Sequence, residues 1–212
     1  MRNESQYPVP GRSEQRNRRI AGHEIGHAFI TRVLGSHVHL VAIVPGDGYE
    51  GRCVRSARPT QLTFEDQTTE VLTICERPEG LTTPELGSNR VTDAESIVCA
   101  KSMVIELVAG EVAEQLLHPA DPSLGAEHDG IEARAIARVV CAAVDASRAV
   151  AALVRCAEVE TRALLLANRD IVDALVKALI EYGTLSGTEV DTVIAAGVAA
   201  RSIAIERQRR DD

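Results

Sequence analysis

Tryptophan is absent from this sequence, and aromatic side chains amount to three tyrosines and two phenylalanines. That argues against an aromatic-rich β-sandwich. The interior must be built from Ala, Val, Leu and Ile, which suits helices packed with close axes. A GxxxxGK[ST] loop is also missing, which excludes ATP hydrolysis by that route. No apolar run approaches the roughly 18 residues needed to span a bilayer, and no hydrophobic leader follows the N-terminus. The expectation is a cytoplasmic protein with no membrane partner. Positive charge is short as well. The net charge of −8 argues against nucleic acid as the main partner. Arg12, Arg16, Arg18 and Arg19 form a local basic cluster that reads as a solvated helix start. Cysteines are few and odd in number: Cys53, Cys75, Cys99, Cys141 and Cys156, with no CxxC pair. They read as reduced, mostly buried thiols of a cytoplasmic protein and not as a disulfide frame or a thiolate zinc site.

The 212 residues, 45% of them hydrophobic, are enough for one ordinary core. Ser13 predicts the cap of a helix that runs to about Leu34, where Gly35 stops it. The β-branched run Val38 to Val44 predicts a strand, with "GDG" as the turn and a short return strand at Arg52 to Val54. Residues 55–91 contain three prolines and read as a long mobile connection with a short strand near Val71 to Cys75. Helices are expected from the capping box Thr92–Glu95 to about Leu117, from Ala126 to Val144, and from Arg148 to Ala167. Another should start at "ANRD" and end before Gly183. The last should run from the capping box Ser186–Glu189 to about Glu206. The fold class is mainly α with a small β-hairpin. Residues 1–12 form an extension, 13–206 one domain, and 207–212 a frayed tail.

Chemistry concentrates in "RRIAGHEIGHAFI", residues 18–30. On a helix, His23 and His27 lie on one face about 6 Å apart along the axis. Both imidazoles can then reach one ion at the usual Zn–N distance of about 2.0–2.1 Å. Glu24 is rotated about 100° from His23, beside the site, where its carboxylate can accept a proton from water. A third ligand is needed. The metzincin continuation HxxGxxH is absent after His27. Glu111 or Glu114 in "AGEVAEQL" would serve as a glutamate from a downstream helix, and Asp129 in "LGAEHDG" as an aspartate near a helix start. The spacing alone leaves all three open. His37, His39 and His118 read as structural or surface residues.

Five segments together resemble the peptidase domain of the FtsH family of AAA+ zinc metalloproteases. "RRIAGHEIGHAFI" is similar to that family's HEAGHA helix, with Ile25 where Ala is usual. "VHLVAIVPGDG" is similar to the strand and turn that follow. "AGEVAEQL" resembles GGRxAEE, with Glu111 for Arg and Gln115 for Glu. "GAEHDGIEARAIAR" resembles GAxNDLxxAT, with His128 for Asn, Gly130 for Leu and Arg134 for Thr. "LLLANRDIVDALVKALIEYGTLSGTEV" is similar to the closing helices. The likeness covers roughly residues 14–195.

The resemblance implies Asp129 as the third zinc ligand, Glu24 as the general base, and Glu114 as a residue orienting a ligand histidine. His128, adjacent to Asp129, competes as a ligand. The implied activity is zinc-dependent hydrolysis of peptide bonds in unfolded proteins or peptides. The alternative is a non-catalytic, peptidase-like binding module that keeps the fold, with or without the metal. The family's membrane helices and ATPase do not match anything here, so the expectation is a free-standing peptidase domain or one served by a separate ATPase partner. A hexamer is implied by resemblance only.

Overall fold

A computed structural model describes residues 7–46, 48–55, 87, 90–119, 127–141 and 146–211. Among them are six helices and three strands. In chain order these are α1 (Glu14–Val33), β1 (Val38–Ala42), β2 (Arg52–Arg55), α2 (Arg90–Leu117), α3 (Glu127–Val140), α4 (Ala146–Ala167), α5 (Arg169–Tyr182), β3 (Thr184–Ser186) and α6 (Gly187–Asp211). No described helix is long and apolar enough to cross a membrane.

The central element is α1. Ser13 caps it by accepting a hydrogen bond from the Arg16 backbone N–H at 3.2 Å. Glu14 in the first turn and Arg32 in the last complement the helix dipole. Gly35, at φ 84°, lets the chain turn away. Ile20, Ala21, Ile25, Ala28, Phe29 and Ile30 are all buried, so α1 has neighbours on most sides. One neighbour is α2, and the contact is unusually close. A Cβ placed on Gly26 would stand 2.5 Å from the Ala109 carbonyl oxygen and 2.6 Å from Ala113 Cβ. The two backbones therefore touch through small residues, as the shortage of aromatics requires. On α2 itself, α3 and α4 pack, while α5 packs against α1 and carries α6.

The sheet has the order β2–β1–β3, with both pairs antiparallel. Val41 is the centre, opposite Cys53 on one side and Leu185 on the other. This differs from the simple hairpin expected. The third strand is only "TLS", wedged between two helices, and so has too few residues to show a period of two. Among the described residues β2 is an edge strand, and Arg52, Cys53 and Arg55 on it line the site described below.

Other expectations shift. Ser186 and Glu189 do form a capping box: Ser186 Oγ accepts from the Glu189 N–H at 3.3 Å, and Glu189 Oε2 accepts from the Ser186 N–H at 2.8 Å. Thr92–Glu95 does not open α2, because the helix already begins at Arg90. Residues 207–211 continue α6 and are not frayed. The described part of the N-terminal extension, residues 7–12, makes contacts with the domain. The Tyr7 hydroxyl donates to the Ile180 carbonyl, and Arg12 Nη1 donates to the Ile43 carbonyl at 2.5 Å. The strand proposed at Val71 to Cys75 and nearly all of the connection lie outside the described residues.

The reduced-thiol reading is corrected. Cys99, buried on α2, is disulfide-bonded, while Cys53, Cys141 and Cys156 are free thiols. Spacing along the chain carries no signal that Cys99 approaches a second thiol. The thiol argument for a cytoplasmic location falls with it.

Because Gly26 meets backbone and not a movable side-chain end, Gly26→Ala must push α1 and α2 apart. We expect a loss of about 1–3 kcal/mol in urea unfolding, the usual cost of overpacking. An unchanged midpoint would show that the helices do not touch there.

Candidate metal centre

Steps of three and four residues bring Arg16, Arg19, Ile20, His23, Glu24 and His27 to one face of α1. That face forms part of a cleft of about 780 Å³. Gly48 to Cys53 and Arg55 form a second wall, Leu107 and Glu114 come from α2, and Asp129 and Glu132 from α3.

Three donor atoms converge here. His23 Nε2 and His27 Nε2 face each other at 3.1 Å. Asp129 Oδ2 lies 3.3 Å from each of them. A tetrahedral ion with bonds of about 2.0–2.1 Å has ligand-to-ligand edges of roughly 3.3–3.4 Å. The observed triangle has nearly those edges. Among the described residues, this is the one group of three or more His, Cys, Asp and Glu able to hold an ion. Two imidazoles and a carboxylate suit zinc.

A second observation supports the fit. A Cβ on Gly110 of α2 would stand 2.6 Å from His23 Nε2 and closer still to His27 Nε2. With glycine at residue 110, no side chain crowds the two donor nitrogens from α2.

Behind the ligands, hydrogen bonds set the tautomers. His27 Nδ1 is 2.8 Å from the Glu106 carbonyl oxygen. A carbonyl only accepts, so Nδ1 carries the proton and Nε2 presents its lone pair. His23 Nδ1 is buried and faces Glu114 Oε2 at 3.7 Å, a small rotation from hydrogen-bonding distance. The other carboxylate oxygen of Glu114 accepts from Arg19 Nε at 3.0 Å and from Arg19 Nη2. Only 9% of the Arg19 side chain and 3% of the Glu114 side chain are exposed. Glu114 therefore sits behind His23, not on a solvent-facing surface. Arg19 is not part of a solvated helix start. Its buried charge balances that of Glu114.

The electrostatics follow from crowding. Burial alone would lower the His23 pKa, but the Asp129 carboxylate against its Nε2, the Glu114 carboxylate near its Nδ1 and the Glu24 charge raise it to about 9. Burial would raise Asp129, yet its bonds to His23 and His27 hold it well below the usual carboxylate range. Burial pushes Glu24 up, against the opposing pull of His27 and His23. The Cys53 thiol is pushed up to about 12, first by burial and then by Glu24. Burial thus favours the neutral thiol in the wall of the cleft.

The other sequence candidates stand elsewhere. Glu111 accepts from Gln115 Nε2 at 3.0 Å and lines a separate small cavity with Arg155 and Glu158. His128 is exposed at the start of α3, as are His37 and His39 around β1. His118 follows α2 and is outside the donor triangle. Three contributors escape a reading of motifs: Arg19, Gly110 and the Glu106 carbonyl. A glycine inside a strong helical pattern is a signal for the second. Arg19 stands one turn before His23, which is a weak signal. A backbone carbonyl leaves none.

A search against protein-family models and against curated proteins finds no match for this chain.

The sign of the pH dependence can be worked out for His23. With a chelator present, its raised pKa lends stability that is full below the unfolded value of about 6.5. That stability is lost as pH rises through about 9. Urea unfolding of the chelated protein should have a lower midpoint at about pH 9.5 than at about pH 6.5, and His23→Ala should flatten the difference. The same drop in His23→Ala would assign the effect to another group.

Proposed function

We propose that this protein is a zinc-dependent metallopeptidase, similar to the peptidase domain of the FtsH family, that hydrolyses peptide bonds in unfolded proteins or peptides. The observation that carries the reading is the convergence of His23 Nε2, His27 Nε2 and Asp129 Oδ2 with Glu24 on the next position of the same helix. The resemblance in sequence had implied the same three ligands from motif matches alone.

When bound, zinc supplies a Lewis acid for the scissile carbonyl and lowers the pKa of a coordinated water. His23, His27 and Asp129 would hold it. Glu24 accepts the proton of the attacking water and passes it to the departing amine. Its burial suits both steps, because a carboxylate with a raised pKa holds a proton for longer than an exposed one. Gly51 of the hairpin gives it room: a Cβ there would stand 2.8 Å from Glu24 Oε1. The strand β2, which among the described residues pairs with β1 alone, offers main-chain groups to an extended peptide. Arg55 at its end is tied to Glu106 at 2.6 Å, so β2 is anchored to the helix that orients His27. Arg16 and Glu50, paired at 2.7 Å, fix the other end of the hairpin to α1.

An extended substrate is required on this account. A folded protein hides its backbone, and opening it costs roughly 5–15 kcal/mol. No phosphate-binding loop in this sequence supplies that energy. A hexamer and a separate ATPase partner belong to the same resemblance, and sedimentation reports the first of them.

Two variants test the reading together. Glu24→Gln should keep about one zinc per chain but lose about 10²–10⁴-fold in hydrolysis of casein or a peptide library. Asp129→Ala should release most of the zinc. Zinc in the wild type with no cleavage under any condition would replace the enzyme with the metal-holding binding module. Activity of the purified chain should be confined to unfolded substrates and indifferent to ATP.

A further inference from the structure

Gly110 lies in the middle of a 28-residue helix. Apart from proline, glycine is the weakest helix former, so its presence there needs a reason. Backbone conformation is not the reason, because Gly110 is not among the glycines with positive φ. Close approach of two backbones is not the reason either. At Gly26 a Cβ would meet the Ala109 carbonyl oxygen, whereas at Gly110 the nearest atoms are the ring atoms of His23 and His27. They stand within 2.6 Å of the Cβ position, and the same Nε2 atoms form the donor triangle with Asp129. A side chain there would thus press directly on the donor atoms at two corners of the triangle.

We propose that Gly110 is a positioning residue of the metal site: its missing side chain leaves the two donor nitrogens uncrowded, and any larger residue excludes the ion while sparing the fold. The inference rests on reading the triangle as a metal centre. Its physical content is the asymmetry between the two states of the site. A methyl group at residue 110 is tolerated when no ion is present because the imidazole rings can turn aside into the adjoining cleft, giving up orienting contacts such as the His27 Nδ1 bond to the Glu106 carbonyl. Swinging them separates the donor atoms, so the ion is lost.

The test uses the full chain, as wild type and as Gly110→Ala. Zinc affinity is measured by competition with a chromophoric chelator, and urea unfolding is measured with and without EDTA. Zinc affinity of the variant should fall by at least about 100-fold, the upper end of what loss of an outer partner costs. In EDTA its unfolding midpoint should match or exceed that of the wild type, because alanine is the better helix former. Added zinc should raise the midpoint of the wild type only. Zinc affinity within about threefold of wild type would overturn the proposal, on the same scale of effects. Failure of the wild type to bind zinc would overturn it too, but through the metal-centre reading beneath it, which keeps the two failures distinct. If Gly110→Ala does not fold, the triple variant with His23→Ala and His27→Ala decides. Recovery of folding supports the clash with the imidazoles. Continued failure means that Gly110 serves helix packing, which contradicts the proposal.

Discussion

Everything in this molecule depends on how closely α1 and α2 approach. Gly26 on one helix meets Ala109 and Ala113 on the other, with no room for a further methyl group. That contact sets the distance from α1 at which Glu106, Gly110 and Glu114 stand on α2. The carbonyl of Glu106 reaches His27 Nδ1, Gly110 leaves the Nε2 atoms uncrowded, and Glu114 stands behind His23. A wider helix pair, padded with leucine or phenylalanine, would move these three groups away from the histidines together. The lack of aromatic residues is thus a condition for the site as well as for the core.

Charge is arranged around the same seam. Arg19 and Glu114 are both buried, and neither would be tolerated there alone. A buried ion pair stabilises little compared with apolar groups of the same shape, so its retention points to what it positions. Here it holds the carboxylate that faces His23. Arg55 and Glu106 do similar work on the other flank, tying the edge strand to the helix position whose carbonyl orients His27. Both histidines therefore face carbonyl or carboxylate oxygens of α2, while their third companion, Asp129, arrives on the next helix.

Much of this was legible in the sequence. The spacing of His23 and His27 needs only helical periodicity. Ser13, Gly183 and the Ser186–Glu189 box are local signals that act through adjacent backbone groups, and the helices start or stop where they stand. What was not legible depends on distant parts of the chain. Spacing could not choose among Glu111, Glu114 and Asp129, because the choice is made by where α3 docks. Arg19 looked solvated because its partner is 95 positions away. The strand β3 exists only because β1 has an edge for it. The disulfide at Cys99 likewise depends on an approach that no local pattern records.

The central claim is that His23, His27 and Asp129 hold zinc through two imidazole nitrogens and a carboxylate oxygen. X-ray absorption at the zinc edge, on the purified protein loaded with one equivalent, tests it directly. The account predicts nitrogen and oxygen neighbours only, at about 2.0–2.1 Å, with the outer-shell scattering of two imidazole rings. A sulfur neighbour at about 2.3 Å, or scattering from fewer than two imidazoles, would contradict it.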